Sequence, residues 1–114
     1  MVADYLVSPK NEYKFSLWNY WSETFAKDLR NVAVHSGHEL SKLYEIENLL
    51  TCADCSAVAG SFRKESRWGE THRRGDYPAR DDANWKCHVV VKLKDGVLTP
   101  EKTPISELGE EVIL

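Results

Sequence analysis

Residues 64–85 carry many charged side chains and no apolar period, and this stretch constrains the fold more than any other part of the chain. A regular helix or strand would show apolar residues at intervals of about 3.6 or about 2. Instead, the stretch holds four arginines and five acidic residues in irregular order. Arginine and carboxylate groups at this density predict a loop that is fixed by bidentate ion pairs, or a loop that binds something anionic.

Two helices are predicted before this loop. Apolar side chains recur at helical spacing in residues 16–34, where Ser16 is a candidate N-cap. The pair Ser36-Gly37 is predicted to end this helix, because glycine adopts the left-handed backbone of a helix C-terminus. A second and longer helix is predicted for residues 38–64, and its small residues would allow another element to approach closely.

A β-hairpin is predicted after the loop. The run from Trp85 to Leu93 is rich in valine and partly alternates, which favours a strand. Lys94-Asp95-Gly96 is typical of a tight turn between two strands. Two prolines, at positions 100 and 104, are expected to limit the length of the second strand and to place it at a sheet edge.

The predicted fold class is therefore mainly α, of the α+β kind. Two principal helices pack as a helical hairpin or bundle, and the irregular Arg-rich loop and a C-terminal β-hairpin follow them. A chain of 114 residues is expected to form one domain. Its predicted parts are an N-terminal arm (1–15), a helical part (16–64), a motif loop (65–85), and a hairpin with a tail (86–114).

Composition argues against several classes of protein. A net charge of −3 speaks against general affinity for nucleic acid. No apolar run reaches the roughly 20 residues of a membrane span, and the first residues lack the basic and apolar segments of a signal peptide. Three cysteines, an odd number, favour a reducing cytoplasm over a disulfide framework.

A pattern of rare residue types in fixed order runs through the motif loop and beyond it. Its members are Glu65-Ser66-Arg67, His72, Arg74, Asp76-Tyr77-Pro78, Arg80-Asp81-Asp82, Asn84-Trp85 and His88. This order resembles the C-terminal region of the succinate dehydrogenase/fumarate reductase flavoprotein subunits, a family that includes L-aspartate oxidase and adenylylsulfate reductase alpha subunits. The resemblance covers about residues 39–105. Trp68 and the longer gap before His72 are more like the adenylylsulfate reductase branch.

The resemblance implies an FAD-dependent oxidoreductase that transfers electrons, with a flavin domain and other subunits, such as an iron–sulfur subunit, as partners. Such proteins bind FAD through a glycine-rich turn, whereas none of the six glycines here forms a GxGxxG pattern. We therefore expect the C-terminal domain alone, in a structural and assembly role. It is expected to have no catalytic, cofactor-binding or metal-binding residue of its own, and FAD is expected in the parent enzyme. The alternative is a free-standing protein- or anion-binding module that uses the Arg-rich loop.

The candidate site consists of nine residues of the motif. They are Glu65, Arg67, His72, Arg74, Asp76, Arg80, Asp81, Asp82 and Trp85. Two roles stay open for them: internal ion pairs that fix the path of the loop, or contacts with an anion, a flavin domain or a partner subunit. If the pairs are internal, Arg67 and Arg74 are expected to be the least exposed arginines.

Two further groups of side chains allow more than one interpretation. Four potential zinc ligands are Cys52, Cys55, Cys87 and His88. Because a CxxC pair within a helix is more often packed as small apolar residues, no metal is expected. A dense aromatic group consists of Tyr13, Phe15, Trp18, Tyr20 and Trp21. These rings are expected either in the core or at an exposed interface for a partner.

Overall fold

The computed structural model describes residues 2–105. The helices are α1 (Val2–Tyr5), α2 (Glu12–Leu29), α3 (Gly37–Phe62) and α4 (Asp82–Trp85), and the strands are β1 (Cys87–Lys94) and β2 (Val97–Pro104). The two strands form an antiparallel two-stranded sheet. A pair of long helices followed by an irregular loop and a hairpin confirms the predicted mainly α architecture. None of the helices in residues 2–105 combines the length and apolarity that a bilayer span requires.

Helix α2 begins at Glu12, earlier than the predicted start at residue 16. The cap is Asn11, not Ser16, and its side-chain oxygen accepts a hydrogen bond of 2.8 Å from the amide of Lys14. The early start brings Phe15 onto the same helix face as Trp18, and both side chains are buried. Before Ser16 the sequence shows no clear helical periodicity, because one buried ring, that of Phe15, does not make a recognisable apolar helix face.

The pair Ser36-Gly37 begins α3 and does not end α2, which already ends at Leu29. The Ser36 hydroxyl accepts a hydrogen bond of 3.2 Å from the amide of Glu39. The Glu39 carboxylate in turn accepts one of 2.7 Å from the amide of His35. This exchange resembles a capping box, and it satisfies amides that a helix start would otherwise leave unpaired. The spacing of Ser36 three residues before Glu39 therefore indicates a helix start, and this signal was stronger than the helix end that Gly37 suggested.

The core lies where α2 crosses the second half of α3. Phe15 and Trp18 of α2 pack with Ala53 and Ala57 of α3, and Leu6 from the segment after α1 closes the cluster. Small residues on α3 allow this close approach, as predicted. At Gly60 an added Cβ would lie 3.0 Å from Cζ of the Phe15 ring, so a larger residue there would require the ring to shift.

A polar contact joins the two long helices inside this core. The Asp54 carboxylate on α3 accepts hydrogen bonds from the Trp18 indole N–H at 3.0 Å and from the Ser22 hydroxyl at 2.6 Å. Trp18 is only 1% exposed, so its N–H needs an acceptor within the protein. Asp54 thereby fixes both the spacing and the register of α2 against α3.

The hairpin is longer than its prolines suggested. Residues Asp95 and Gly96 form the predicted turn, with φ of 51° and 76°, and the strands pair from Lys94–Val97 to Cys87–Pro104. β2 therefore runs through Pro100 to a second proline at its end. In a sheet of two strands β2 is an edge strand, and an edge strand tolerates prolines whose missing N–H would have faced solvent.

We predict that Asp54→Ala lowers the free energy of unfolding by about 1–3 kcal/mol, because the buried indole N–H and the Ser22 hydroxyl lose their acceptor. Asp54→Asn should cost less, since its amide keeps one acceptor oxygen. Asp28→Ala, at an exposed position on α2, is the matched control and should stay near wild type. Urea unfolding measures all three. Equal losses for Asp28→Ala and Asp54→Ala would show that this contact does not stabilise the helix pair.

Candidate functional site

The first cluster of ion pairs in the motif loop surrounds Glu65, whose side chain is fully buried. One carboxylate oxygen accepts from Arg63 Nη1 and from Arg67 Nε, each at 2.6 Å. The other accepts from Arg67 Nη2 at 3.1 Å and from the amide of Asp81 at 2.8 Å. Two guanidinium groups and one amide therefore meet at a single carboxylate, which joins the two ends of the loop.

The ionisation of Glu65 follows from these contacts. Burial alone would raise the pKa of its carboxyl group. The hydrogen bonds from Arg67, from the Asp81 amide and from Arg63 outweigh burial, and the pKa of Glu65 is lowered. The carboxylate therefore stays charged and shares its single negative charge between the two guanidinium groups.

The cluster extends outward to Asp82 at the start of α4. Asp82 accepts from Arg67 Nη2 at 2.6 Å and from Arg80 at 2.8 and 3.0 Å in a bidentate pair. The hydrogen bonds from Arg80 and then Arg67 lower the pKa of Asp82 to about 2. Asp81 has a different role, because its carboxylate caps α4 by accepting from the amide of Asn84 at 3.1 Å.

The second cluster surrounds Arg74, whose side chain is also fully buried. Arg74 forms a bidentate pair with Asp76 at 2.8 and 2.7 Å, and its Nη2 donates to Glu12 at 3.0 Å. Its Nη1 donates to the carbonyl oxygens of Gly60 and Ser61 at 2.8 and 3.2 Å. These carbonyls lie at the C-terminal end of α3, where a cation is favoured. Arg74 thus joins the start of α2, the end of α3 and the loop.

Together, the Glu65 and Arg74 clusters form a network of buried ion pairs, called here the lattice. Arg63 belongs to this lattice, but the sequence did not point to it. Its Nη1 donates to the carbonyl of Trp85 at 2.8 Å and its Nη2 to the carbonyl of Cys87 at 2.7 Å. Its side chain is 5% exposed, against 10% for Arg67, so the expectation that Arg67 and Arg74 are the least exposed arginines was right only for Arg74. A basic residue directly after a long helix, two positions before a buried acid, was the available signal.

Trp85 closes the lattice on the side of the hairpin. The ring is 8% exposed and meets the Phe62 ring edge to face, with 5.4 Å between centroids. The Lys102 ammonium group of β2 lies 3.7 Å from the centroid of the Trp85 ring. The aromatic ring therefore packs the end of α3 against the base of the hairpin.

The long gap between Arg67 and His72 forms a tight turn. The Arg67 amide donates to the His72 carbonyl at 2.9 Å, and Trp68 and Gly69 both have positive φ, at 58° and 59°. The turn exposes 62% of Trp68. His72 itself is buried, with Nε2 3.3 Å from the carbonyl oxygen of Arg63. Burial, together with nearby positive charges, lowers the pKa of His72.

The N-terminal segment contributes to the site, which the sequence did not predict. The Lys10 amide donates to the Arg73 carbonyl at 2.8 Å, and the Gly75 amide donates to the Lys10 carbonyl at 2.7 Å. The segment before α2 therefore pairs with the loop like a short parallel strand. Glu12, two residues further on, is one of the two acids that bind Arg74.

The site residues mainly neutralise one another. Within residues 2–105, no buried side-chain nitrogen or oxygen lacks a hydrogen-bond partner. Cys52 and Cys55 lie on α3 and Cys87 on β1, all as free thiols. In the part of the chain that the structure describes, no three His, Cys, Asp or Glu side chains are grouped to hold a metal ion.

The fold and the loop define a class of protein: a small, mainly helical domain whose charged motif residues pair with one another. The chain belongs to the family described as the fumarate reductase flavoprotein C-terminal domain, which matches residues 19–108. The resemblance in the motif loop is thereby confirmed.

Individual relatives agree with the family. The chain is 44% identical over 52 residues to a succinate dehydrogenase flavoprotein subunit of Coxiella burnetii, a match that covers 46% of this chain and 8% of that protein. It is 32% identical over 77 residues to the same subunit of Rickettsia conorii, a match that covers 65% of this chain and 13% of that protein. It is 37% identical over 57 residues to a fumarate reductase flavoprotein subunit of Helicobacter pylori, a match that covers 50% of this chain and 8% of that protein. The matches therefore span only 8% to 13% of the length of these relatives.

We predict that Glu65→Ala lowers the free energy of unfolding by about 3–5 kcal/mol, because two nearly buried guanidinium groups lose their shared carboxylate. The matched control is Glu70→Ala in the same loop. Glu70 pairs with Arg73 at 3.0 Å, but the two side chains are 74% and 58% exposed. Such surface pairs are worth about 0–1 kcal/mol. Thermal and urea unfolding of both variants test this, and equal stabilities would contradict a stabilising role for the Glu65 cluster.

A pH dependence is predicted for the Arg74 cluster. The hydrogen bonds from Arg74 lower the pKa of Asp76 to about 2, from an ordinary value of 3.8. A lowered pKa in the folded state stabilises the protein above the ordinary pKa, and this contribution disappears as the pH falls through the folded-state pKa. Asp76→Asn should therefore be less stable than wild type at neutral pH, and the difference should shrink between pH 3.8 and about 2. Asp28→Asn, at an exposed position outside the loop, is the control and should be as stable as wild type at neutral pH. A deficit for Asp76→Asn that stays constant over this pH range would refute the assignment.

Proposed function

We propose that this chain is a non-catalytic C-terminal domain of an FAD-dependent oxidoreductase of the succinate dehydrogenase/fumarate reductase flavoprotein type. Its role is structural: it folds as a unit and docks against the flavin-binding portion of the enzyme. The family membership supports this role, as does the small share of its relatives that the chain matches. FAD, electron transfer and contacts with further subunits would then belong to the parent enzyme.

The observation that carries the proposal is the internal pairing of the buried motif residues. Glu65 is bound by Arg63 and Arg67, while Arg74 is bound by Asp76 and Glu12. Groups that neutralise one another in the interior are poorly placed to bind substrate or to transfer protons. The motif therefore supports a loop whose shape is fixed, and a fixed loop can serve as a rigid surface for assembly.

The aromatic group near the start of α2 supplies a surface for docking. Phe15 and Trp18 lie in the core, whereas Tyr13 and Tyr20 are 71% and 63% exposed. These two tyrosines are seven residues apart, so they lie on the same side of the helix. Exposed aromatic side chains are enriched where one protein surface packs against another. We assign this side of α2 to contact with the flavin domain.

A second candidate function is a free-standing module that binds an acidic protein segment through the loop. The exposed arginines favour it, because the side chains of Arg73 and Arg80 are 58% and 62% exposed. Both candidates fit a cytoplasmic location, since the three free thiols suit a reducing compartment. The net charge of −3 argues against nucleic acid as a partner in either case.

Co-expression with the flavin-binding portion of a subunit of this type from the same organism tests the proposal. We predict that the two polypeptides co-elute in gel filtration and that the flavin absorbance follows this chain. The double variant Tyr13→Ser/Tyr20→Ser should abolish co-elution, while Tyr44→Ser, at a tyrosine on α3 that is 55% exposed, should leave it unchanged. Separate elution of the unmodified chain would reject the docking role and favour the free-standing module.

A further inference from the structure

A pocket of about 340 Å³ lies between the N-terminal segment, the end of α3, the Trp68 turn and β1. Four basic side chains line it, namely Lys10, Arg63, His72 and His88. None of the described residues that line it is Asp or Glu. Asp82 and Arg80 do not line this pocket, and the proposed function makes no use of it.

The positive charge in this pocket is not neutralised by the lattice. Arg63 already binds Glu65, while Glu12 and Asp76 bind Arg74. The half-buried Lys10 ammonium group donates only to the carbonyl of Thr71, at 3.3 Å, and pairs with no carboxylate within residues 2–105. A partly desolvated cation without a counter-charge is unfavourable, so an anion beside it would be stabilising.

The pKa shifts of Lys10 and His72 are consistent with an excess of positive charge in the pocket. Burial, followed by the charge of Arg74, lowers the pKa of Lys10. Burial is also the main reason why the pKa of His72 is lowered, and the charges of Lys10, Arg63 and Arg74 add to it. Because each cation disfavours the protonated form of its neighbours, a bound anion would oppose both effects.

The remaining lining suits a small ligand. Ser56 and Thr71 also line the pocket, and a hydroxyl group can donate a hydrogen bond to an anion. The Trp68 ring, Ala59 and Val89 form an apolar wall, which lowers the local dielectric constant and strengthens charge-assisted hydrogen bonds. Gly60 also lines the pocket.

We propose that this pocket binds a small oxyanion, such as a carboxylate, phosphate or sulfate group. Lys10 supplies the charge, and Ser56, Thr71 and His88 supply further donors. The proposal goes beyond docking to a flavin domain, because the site is built entirely from side chains of this chain. The oxyanion has two possible sources that share this chemistry: a free small anion, or the carboxylate of an acidic side chain on another protein segment.

The four histidines of the chain allow a test by NMR. Imidazole signals are followed while inorganic phosphate, acetate or a blocked tripeptide with a central glutamate is added at neutral pH. Ionic strength is held constant with sodium chloride, so that screening does not change. His72 and His88 lie in the pocket, whereas His35 and His38 lie near the start of α3 and serve as internal controls. The expected result is a saturable shift at His72 and His88 alone.

Two variants make the test specific. Lys10→Gln should weaken anion binding roughly tenfold, because a charge-assisted hydrogen bond is lost. Its backbone hydrogen bonds to the loop remain, and a dispersed amide spectrum verifies the fold. His88→Gln, at an exposed strand position, should also weaken binding, whereas Lys92→Gln, on the same strand but outside the pocket, should not.

The choice of probes separates the two sources. Binding of phosphate or acetate but not of the tripeptide would assign the pocket to a free anion. Tighter binding of the tripeptide than of acetate would assign it to a protein carboxylate. Shifts that are linear in anion concentration, that appear equally at His35 and His38, or that are unchanged by Lys10→Gln would overturn the proposal.

Discussion

The bidentate ion pair between Arg74 and Asp76 is the interaction on which the rest of the structure depends. The guanidinium group of Arg74 reaches three separate parts of the chain, because it also binds Glu12 and the last carbonyls of α3. The segment it organises has no apolar period and so cannot be held by hydrophobic burial. Charge-assisted hydrogen bonds take the place of a hydrophobic core there. Glu65 repeats the same solution at the other end of the loop, toward α4 and the hairpin.

The sequence predicted those features that depend on local pattern. The two long helices, the turn at Asp95 and Gly96, and an irregular loop locked by arginine–carboxylate pairs all follow from periodicity, turn chemistry and composition. The helix starts were harder to predict, because a helix cap depends on a single side chain. Asn11 had no apolar stripe beside it to mark the helix, and the Ser36 signal was hidden by the glycine that follows it.

The partners of the buried arginines could not be read from local pattern. Glu12 and Arg74 are 62 positions apart, and Arg63 and Cys87 are 24 apart. The first pair depends on the packing of α2 on α3, which in turn depends on Asp54, Gly60 and the small residues between them. The second depends on the packing of β1 against the end of α3. The sequence motif shows which arginines need partners. Which of the many acidic residues binds each arginine depends on the tertiary fold.

The turn at Trp68 and Gly69 has a consequence for how the loop can vary. The backbone bridge between Arg67 and His72 seals the turn at its base, so the residues above it are outside the lattice. Chain length at this point is therefore uncoupled from the buried ion pairs. Doubling the length of such a closed loop costs only about 0.6 kcal/mol of chain entropy. The domain thus has a position, between Gly69 and Glu70, where residues can be inserted or labelled while the fold beneath and the lining of the pocket are preserved, and new surface recognition can evolve there without loss of the scaffold.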